Sequence, residues 1–245
     1  MTIPGPAGRL APLPDDYGPT RESVHRLACY VLSPARKAAT GRIGLQPTPG
    51  GFGTPVFGAD EQLRIEGASL VRQRGNDVER ATITSVRDAA AFAGVTLSED
   101  PGVGDDPPEL GDADASLPIS AVAVGALGDW FAFSGSVLEA FRAELIAAGR
   151  ECSTVQLWPE HFDLGCSIDG VNFGCSPGDA YSADPYVYVG PWNRDGLPDG
   201  GFWNAPFGAL LAYKELVEAA DQPGAALAFL QRGADLALQR AEEMP

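Results

Sequence analysis

Histidine is nearly missing from this chain: 245 residues contain two, His25 and His161. A zinc site built from several histidines cannot be assembled from two. His161-Phe162-Asp163 has the His-x-Asp spacing of a non-haem iron triad, but that triad needs a second histidine and none follows. Lysine is as scarce, with Lys37 and Lys214 alone. The four cysteines, Cys29, Cys152, Cys166 and Cys175, show no Cys-x-x-Cys spacing and are too few for a disulfide framework, so free thiols in a reducing cytoplasm are expected. No phosphate-binding loop, no GxGxxG opening a helix and no EF-hand loop occurs, so neither a cofactor nor a metal is expected, and the one metal reading left open is a carboxylate-rich magnesium or calcium site drawn from Asp163, Asp169, Asp179 or Asp184. Basic charge is short as well. Lys+Arg is 17 against Asp+Glu 33, for a net charge of -16. Nucleic acid and anionic lipid are therefore disfavoured partners.

Long apolar runs are missing too. The most apolar window, 119–133, is shorter than the roughly 20 residues that span a bilayer. It carries Asp129, Gly125 and Gly128, and a buried helix is expected there. Residues 1–18 lack a basic start followed by an apolar run and are rich in Pro and Gly. No secretory signal is expected, and the segment reads as a tail that drapes over the fold or is mobile.

What is present is the composition of a globular protein, 44% apolar and 20% charged. Helical spacing of Val24, Leu27, Ala28 and Val31 predicts a first helix with Thr20 as its N-cap, restarted near Ser33 by Pro34 and closed by Gly41. Strand-like segments follow at 42–46, 54–57, 62–66, 69–74 and 78–84, with turns at 49–53 and 75–76. Ser85 caps a short helix to Gly94. Residues 98–117 are acidic, without a base, and read as a solvated linker. A long helix over 118–150 buries Leu127, Trp130, Phe131, Ser134, Leu138, Phe141 and Leu145. Strands return at 153–158, 162–168, 171–176 and 185–190. A Gly/Pro/Asp-rich loop covers 191–202. Two or three helices, over 207–219, from near Asp221 and on to about Glu243, finish the chain. The expected class is α+β, with antiparallel sheets packed against helices. The expected organisation is a tail (1–18), an N-terminal half (19–97), the acidic linker and a C-terminal half (118–245). The two halves share a helix-strands-helix pattern. Gly51-Phe52-Gly53-Thr54-Pro55 echoes Phe173-Gly174-Cys175-Ser176-Pro177, as a duplication would.

Asp169-Gly170 between two β-rich runs is the preferred dipeptide of a two-residue hairpin turn. It pairs Ile168 with Val171, and the register follows outward: Ser167 with Asn172, Cys166 with Phe173, Gly165 with Gly174, Leu164 with Cys175 and Asp163 with Ser176. Alternation then puts Phe162, Leu164, Cys166, Ile168, Val171, Phe173 and Cys175 on an apolar face. The opposite face carries His161, Asp163, Gly165, Ser167, Asn172, Gly174 and Ser176. Gly, Asn and Asp are poor strand formers, and facing glycines mark close approach by a ligand or by another part of the fold. With Val187 and Val189 in the core, Tyr186 and Tyr188 join this polar face, Trp158 lines it upstream, and Trp203-Asn204 follows the loop. The pattern predicts an aromatic-walled, polar-floored groove.

In that groove His161 is the candidate base, Asp163 its orienting carboxylate and Ser176 a candidate nucleophile. Trp158, Asn172, Asp179, Tyr186, Tyr188, Trp203 and Asn204 are the candidate ligand contacts. Gly174-Cys175-Ser176-Pro177-Gly178 matches G-x-S-x-G. No helix can follow it, however, and no histidine lies downstream, so the α/β-hydrolase order is excluded. Two function classes fit: binding or hydrolytic processing of a small molecule, and a non-catalytic interaction module using the same polar face. The expected partner is a small-molecule ligand, with room for a homo-oligomer. From Trp158-Pro159-Glu160-His161-Phe162-Asp163 through Phe173-Gly174, Gly178-Asp179, Pro185-Tyr186-Val187-Tyr188, Pro191, Trp203 and Tyr213, the chain resembles an uncharacterised bacterial protein family. That resemblance covers roughly residues 158–245, and it implies a shared fold and no particular chemistry.

Overall fold

The computed structural model describes residues 9–195 and 200–243, without the side chains of 238–243. Part of the expected tail (1–8) and part of the expected loop (196–199) lie outside the described residues. The class is α+β: two five-stranded antiparallel sheets, each with its strands in chain order, together with helices. Both halves run helix, five-stranded meander, helix, an arrangement compatible with duplication. The Gly-Phe-Gly echo does not carry that argument, because it falls on the second strand of one sheet and the third of the other.

The chain clusters into two compact units, and neither is continuous in sequence. One unit comprises 13–132 and 156–163; the other comprises 1–12, 133–155 and 164–245.

In the unit built on 13–132, α1 (Tyr17–Leu27) runs into a π-helical turn, Ala28–Leu32, and then α2 (Ser33–Thr40). The expected N-cap at Thr20 is corrected: the helix opens at Tyr17 with Asp16 at the N-cap position, and Thr20 is buried within it, its hydroxyl accepting the Ser120 N–H. The restart falls at the expected Ser33-Pro34. Pro34 has no N–H to give, which breaks the regular ladder, and the Ser33 N–H reaches back to the Ala28 carbonyl, five residues away. Gly41 closes α2 with φ 74°. The sheet holds β1 (Gln46–Thr48), β2 (Gly51–Gly53), β3 (Glu61–Glu66), β4 (Ser69–Arg74) and β5 (Asp77–Thr82). The strands expected at 42–46 and 54–57 are corrected by this: the glycines assigned to a turn are themselves a strand. A Cβ on Gly51 would lie 2.0 Å from the Ile65 carbonyl oxygen, and one on Gly53 2.4 Å from that of Leu63. Glycine is what lets β2 approach β3. Ser85 caps α3 (Val86–Ala93), its hydroxyl accepting the Asp88 N–H at 3.1 Å. The acidic stretch belongs to this unit, held where Val103, Ala113 and Leu117 are buried.

Helix α4 (Ala121–Ala147) contributes to both units. Its length and composition alone would let it cross a membrane, but 56% of its most apolar window is buried within the chain.

In the other unit β7 (Asp163–Ile168), which enters this unit at Leu164, β8 (Val171–Ser176), β9 (Tyr186–Pro191) and β10 (Ala209–Ala212) form a meander. The remaining strand, β6 (Gln156–Trp158), belongs to the first unit and is shorter than the expected 153–158. The hairpin register is the expected one, from Ile168 opposite Val171 to Leu164 opposite Cys175. Leu164, Cys166, Ile168, Val171, Phe173 and Cys175 are all buried. The helix expected over 207–219 is corrected: Ala209-Leu210-Leu211-Ala212 is strand β10, and only α5 (Tyr213–Glu218) is helical. Ala and Leu favour helix intrinsically, and pairing with the free edge of β9 overrides that preference. From Asp221 to Glu243 the chain forms one helix, α6 (Gln222–Glu243), with Asp221 Oδ1 accepting the Gly224 N–H at 3.0 Å. Residues 9–11 are strapped down rather than free. Gln222, which is buried, brackets the backbone of Leu10 from both sides, donating to its carbonyl and accepting its N–H, and the Tyr213 hydroxyl donates to Ala11.

Candidate functional site

The expected polar face divides between the two units. Ser176, Asn172, Asp179, Tyr186, Tyr188, Trp203 and Asn204 lie in the unit of 164–245; Trp158, His161 and Asp163 lie in the other, which also holds His25.

On the sheet of the 164–245 unit, Tyr186 is opposite Ser176 and Tyr188 opposite Gly174, so the tyrosines do share the polar face of the hairpin. That face is filled from within. A Cβ on Gly174 would sit 2.5 Å from the Tyr188 ring, and one on Gly165 3.5 Å from its hydroxyl. The bare backbone patch is thus covered by a side chain of the next strand. Ser176 accepts the Gly178 N–H at 3.1 Å and faces Asp179 Oδ2 at 3.5 Å. The Tyr186 hydroxyl donates to the same oxygen at 2.5 Å, while Asp179 Oδ1 accepts the N–H groups of Tyr181 and Ser182. Asp179 is therefore the staple of the 177–184 loop, and Ser176 is buried beneath it with no histidine in its unit. Asn172 Oδ1 accepts both the Ser167 hydroxyl (2.8 Å) and the Trp192 indole N–H (2.9 Å). Asn204, expected as a ligand contact, spends both amide atoms on the main chain of Leu210. Trp203 is buried beside Phe202. Tyr181, Tyr186, Tyr188 and Phe207 pack ring on ring with centroids 5.1 to 6.5 Å apart. Phe207 joins this cluster, a place that a helix over 207–219 would not give it. Two rings of this region stand out to solvent, Tyr181 at 49% exposure and Trp192 at 68%.

The other unit holds a different kind of site. Between β6 and Asp163 the chain makes a tight turn in which the Phe162 N–H returns to the Trp158 carbonyl at 2.8 Å. Phe162 has φ 57°, a left-handed conformation that a bulky aromatic adopts only under constraint. Strand alternation accordingly does not reach back past Asp163, and the expectation that His161 and Asp163 share one strand face is corrected. His161 is exposed in the turn; Asp163 is buried, with 7% exposure. Phe162 leaves the hairpin's apolar face for another core, stacked on His25 (4.8 Å, 7° between planes) and edge-on to Phe52 and Phe131.

Glu160 was not among the candidates. Its carboxyl is half-buried, with Oε2 shielded from solvent and without a hydrogen-bond partner. Gly104 lies so close that a Cβ there would sit 2.7 Å from the Glu160 side chain. Burial raises the pKa of this carboxyl from its ordinary value; the residue's own backbone N–H and His161 oppose that, and Asp163 and Asp105 reinforce it. The signal was present in sequence as three titratable residues in four, Glu160-His161-Phe162-Asp163, but strand alternation assigned Glu160 to no face.

His25 underlies this turn. Its Nε2–H points at the carbonyls of Pro159 (2.9 Å) and Glu160 (3.1 Å), and the Cys29 thiol donates to Pro159 at 3.0 Å. Burial, with Arg21 and His161 nearby, lowers the His25 pKa from 6.5 to about 4, against the raising effect of the two carbonyls. Burial likewise pushes the Cys29 thiol up, so it acts as a neutral donor. Among the described residues no three His, Cys, Asp or Glu side chains converge as metal ligands. A scan against protein-family models and searches of curated proteins and of solved structures find no match for this chain.

Proposed function

We propose that the chain processes a small, neutral or cationic molecule by hydrolysis, and that its reactive centre is the 158–163 turn. The observation that carries this is the Glu160 carboxyl: half-buried, with an unpartnered oxygen, in a turn whose backbone is held in a costly conformation. A carboxyl pushed toward its protonated form beside an exposed imidazole is the pairing that acid–base chemistry needs. In the reaction His161 takes a proton from water as the water oxygen bonds to the substrate's electrophilic carbon. Glu160 gives its proton to the departing group. Asp163, buried beside them, contributes negative potential that keeps the Glu160 proton in place. The net charge of -16 favours substrates that are not polyanions. Trp158 flanks the turn as a ring for stacking.

The test is a thermal-shift screen of neutral metabolites, followed by hydrolysis assays on neutral ester and amide probes. Glu160→Gln and His161→Ala should each abolish turnover, with Glu160→Gln folding at least as well as wild type. Turnover that survives both substitutions sinks the reading.

A second reading has its own observation, the exposed rings of Trp192 and Tyr181. It makes the sheet face of the 164–245 unit a recognition surface for a partner protein. Loss of association on Trp192→Ala and Tyr181→Ala, with the turn variants silent, would favour it.

A further inference from the structure

We propose that His25 is a positioning residue for the reactive turn: from α1 it fixes the carbonyls of Pro159 and Glu160 and braces Phe162, so that the Glu160 carboxyl stays half-buried beside His161. This rests on the reading of the 158–163 turn as the reactive centre, and the experiment below separates the two.

Three independent features converge. Both partners of His25 Nε2 are carbonyls, so that nitrogen carries the hydrogen and the ring is a neutral donor. The ring lies almost parallel to Phe162. Only three non-glycine residues among those described have positive φ. Two are aspartates, which tolerate it; Phe162 is not, and the left-handed conformation costs about 1–2 kcal/mol. Packing against His25, Phe52 and Phe131 is what offsets that cost. Finally, the helix becomes π-helical immediately after α1, and Cys29 lies within that stretch while its thiol holds the same Pro159 carbonyl. Such one-turn π stretches recur where a helix must aim side chains at a site.

The ionisable groups around the brace are Arg21 and His161 on the His25 side, and His161, Asp163 and Asp105 around Glu160, whose charge also reaches Cys29. Since His25 stays neutral down to about pH 4, the brace is constant through the neutral range.

The measurement is the titration of the Glu160 side-chain carboxyl by carbon-detected NMR in the full-length protein, alongside thermal unfolding. His25→Gln keeps a donor and loses the flat ring; His25→Phe keeps the ring and loses the donor. We expect the Glu160 midpoint to remain raised in His25→Gln and to fall toward the ordinary 4.5 in His25→Phe. Should a His25 variant not fold, Cys29→Ala and Cys29→Ser supply the same contrast at the Pro159 carbonyl, with a smaller fall in the alanine variant and none in the serine variant. A Glu160 titration identical to wild type in the folded variants, whatever their melting temperatures, overturns the proposal. If the titration responds as expected while Glu160→Gln and His161→Ala keep full turnover of the ester probes, the brace stands and the reactive-centre reading falls.

Discussion

The hairpin face of β7 to β9 and the 158–163 turn are neighbours in sequence and opposites in how they use polar atoms. On the hairpin face, Ser167, Asn172, Ser176 and Asp179 all have partners inside their own unit, and Tyr188 lies over the glycine pair. In the turn, a carboxyl oxygen is shielded without a partner, and an aromatic residue is held left-handed. Burying a polar group without compensation costs free energy, so a fold keeps such an arrangement only where something holds it. A face lined with polar residues is therefore poor evidence for a site; what matters is whether those residues have bonding capacity left.

The sharpest way to break the contrast is at Phe162. Phe162→Ala should cost about 3–5 kcal/mol in urea unfolding, as a large buried aromatic does. Phe162→Gly should be less damaging than Phe162→Ala despite its smaller side chain, because glycine takes positive φ freely. Equal losses would mean that the turn stores no strain.

Next in size is the acid response of His25. The unfolded chain binds a proton on this ring below about pH 6.5, while the native ring stays neutral until about pH 4. Stability should therefore fall as pH drops through that window, by on the order of 3 kcal/mol, and His25→Gln should flatten this part of the profile. Glu160 acts in the opposite sense. Its raised native pKa favours folding below its ordinary value, and that contribution is lost as pH rises through the native value. Glu160→Gln should then raise the melting temperature at neutral pH, the stability that a strained working site gives up.

On the hairpin side, Gly174→Ala should cost about 1–3 kcal/mol, because the new methyl displaces Tyr188 from a packed ring cluster. No measurable loss would show Tyr188 free to swing away, and the glycine floor open to a ligand after all. The smallest effect belongs to Asn204→Ala, about 1 kcal/mol for an exposed bracket on the β10 backbone. Gln222→Ala, the same kind of bracket but buried, should cost more.

Much of the fold was legible because its signals are local. An Asp-Gly turn set the β7–β8 register, a serine cap and a glycine stop bounded α3, and Pro34 marked the helix restart. The candidate site was legible only as a neighbourhood. Alternation placed Tyr186 and Tyr188 beside Ser176 and Gly174 correctly, yet it ran straight through a turn at His161 and passed over Glu160. Strand β10 was hidden behind helix-favouring residues whose pairing partner is supplied by β9.

By itself, then, the sequence determined alternation, turn chemistry and caps, since these depend on a few adjacent residues and their backbone preferences. Only the tertiary structure decided which polar atoms are spent and which remain. The Pro159 carbonyl is answered by a histidine 134 positions away and the Leu10 backbone by an amide 212 positions away. Burial, the left-handed Phe162 and the shielded Glu160 oxygen all follow from such distant partners, and no local pattern of residues encodes them.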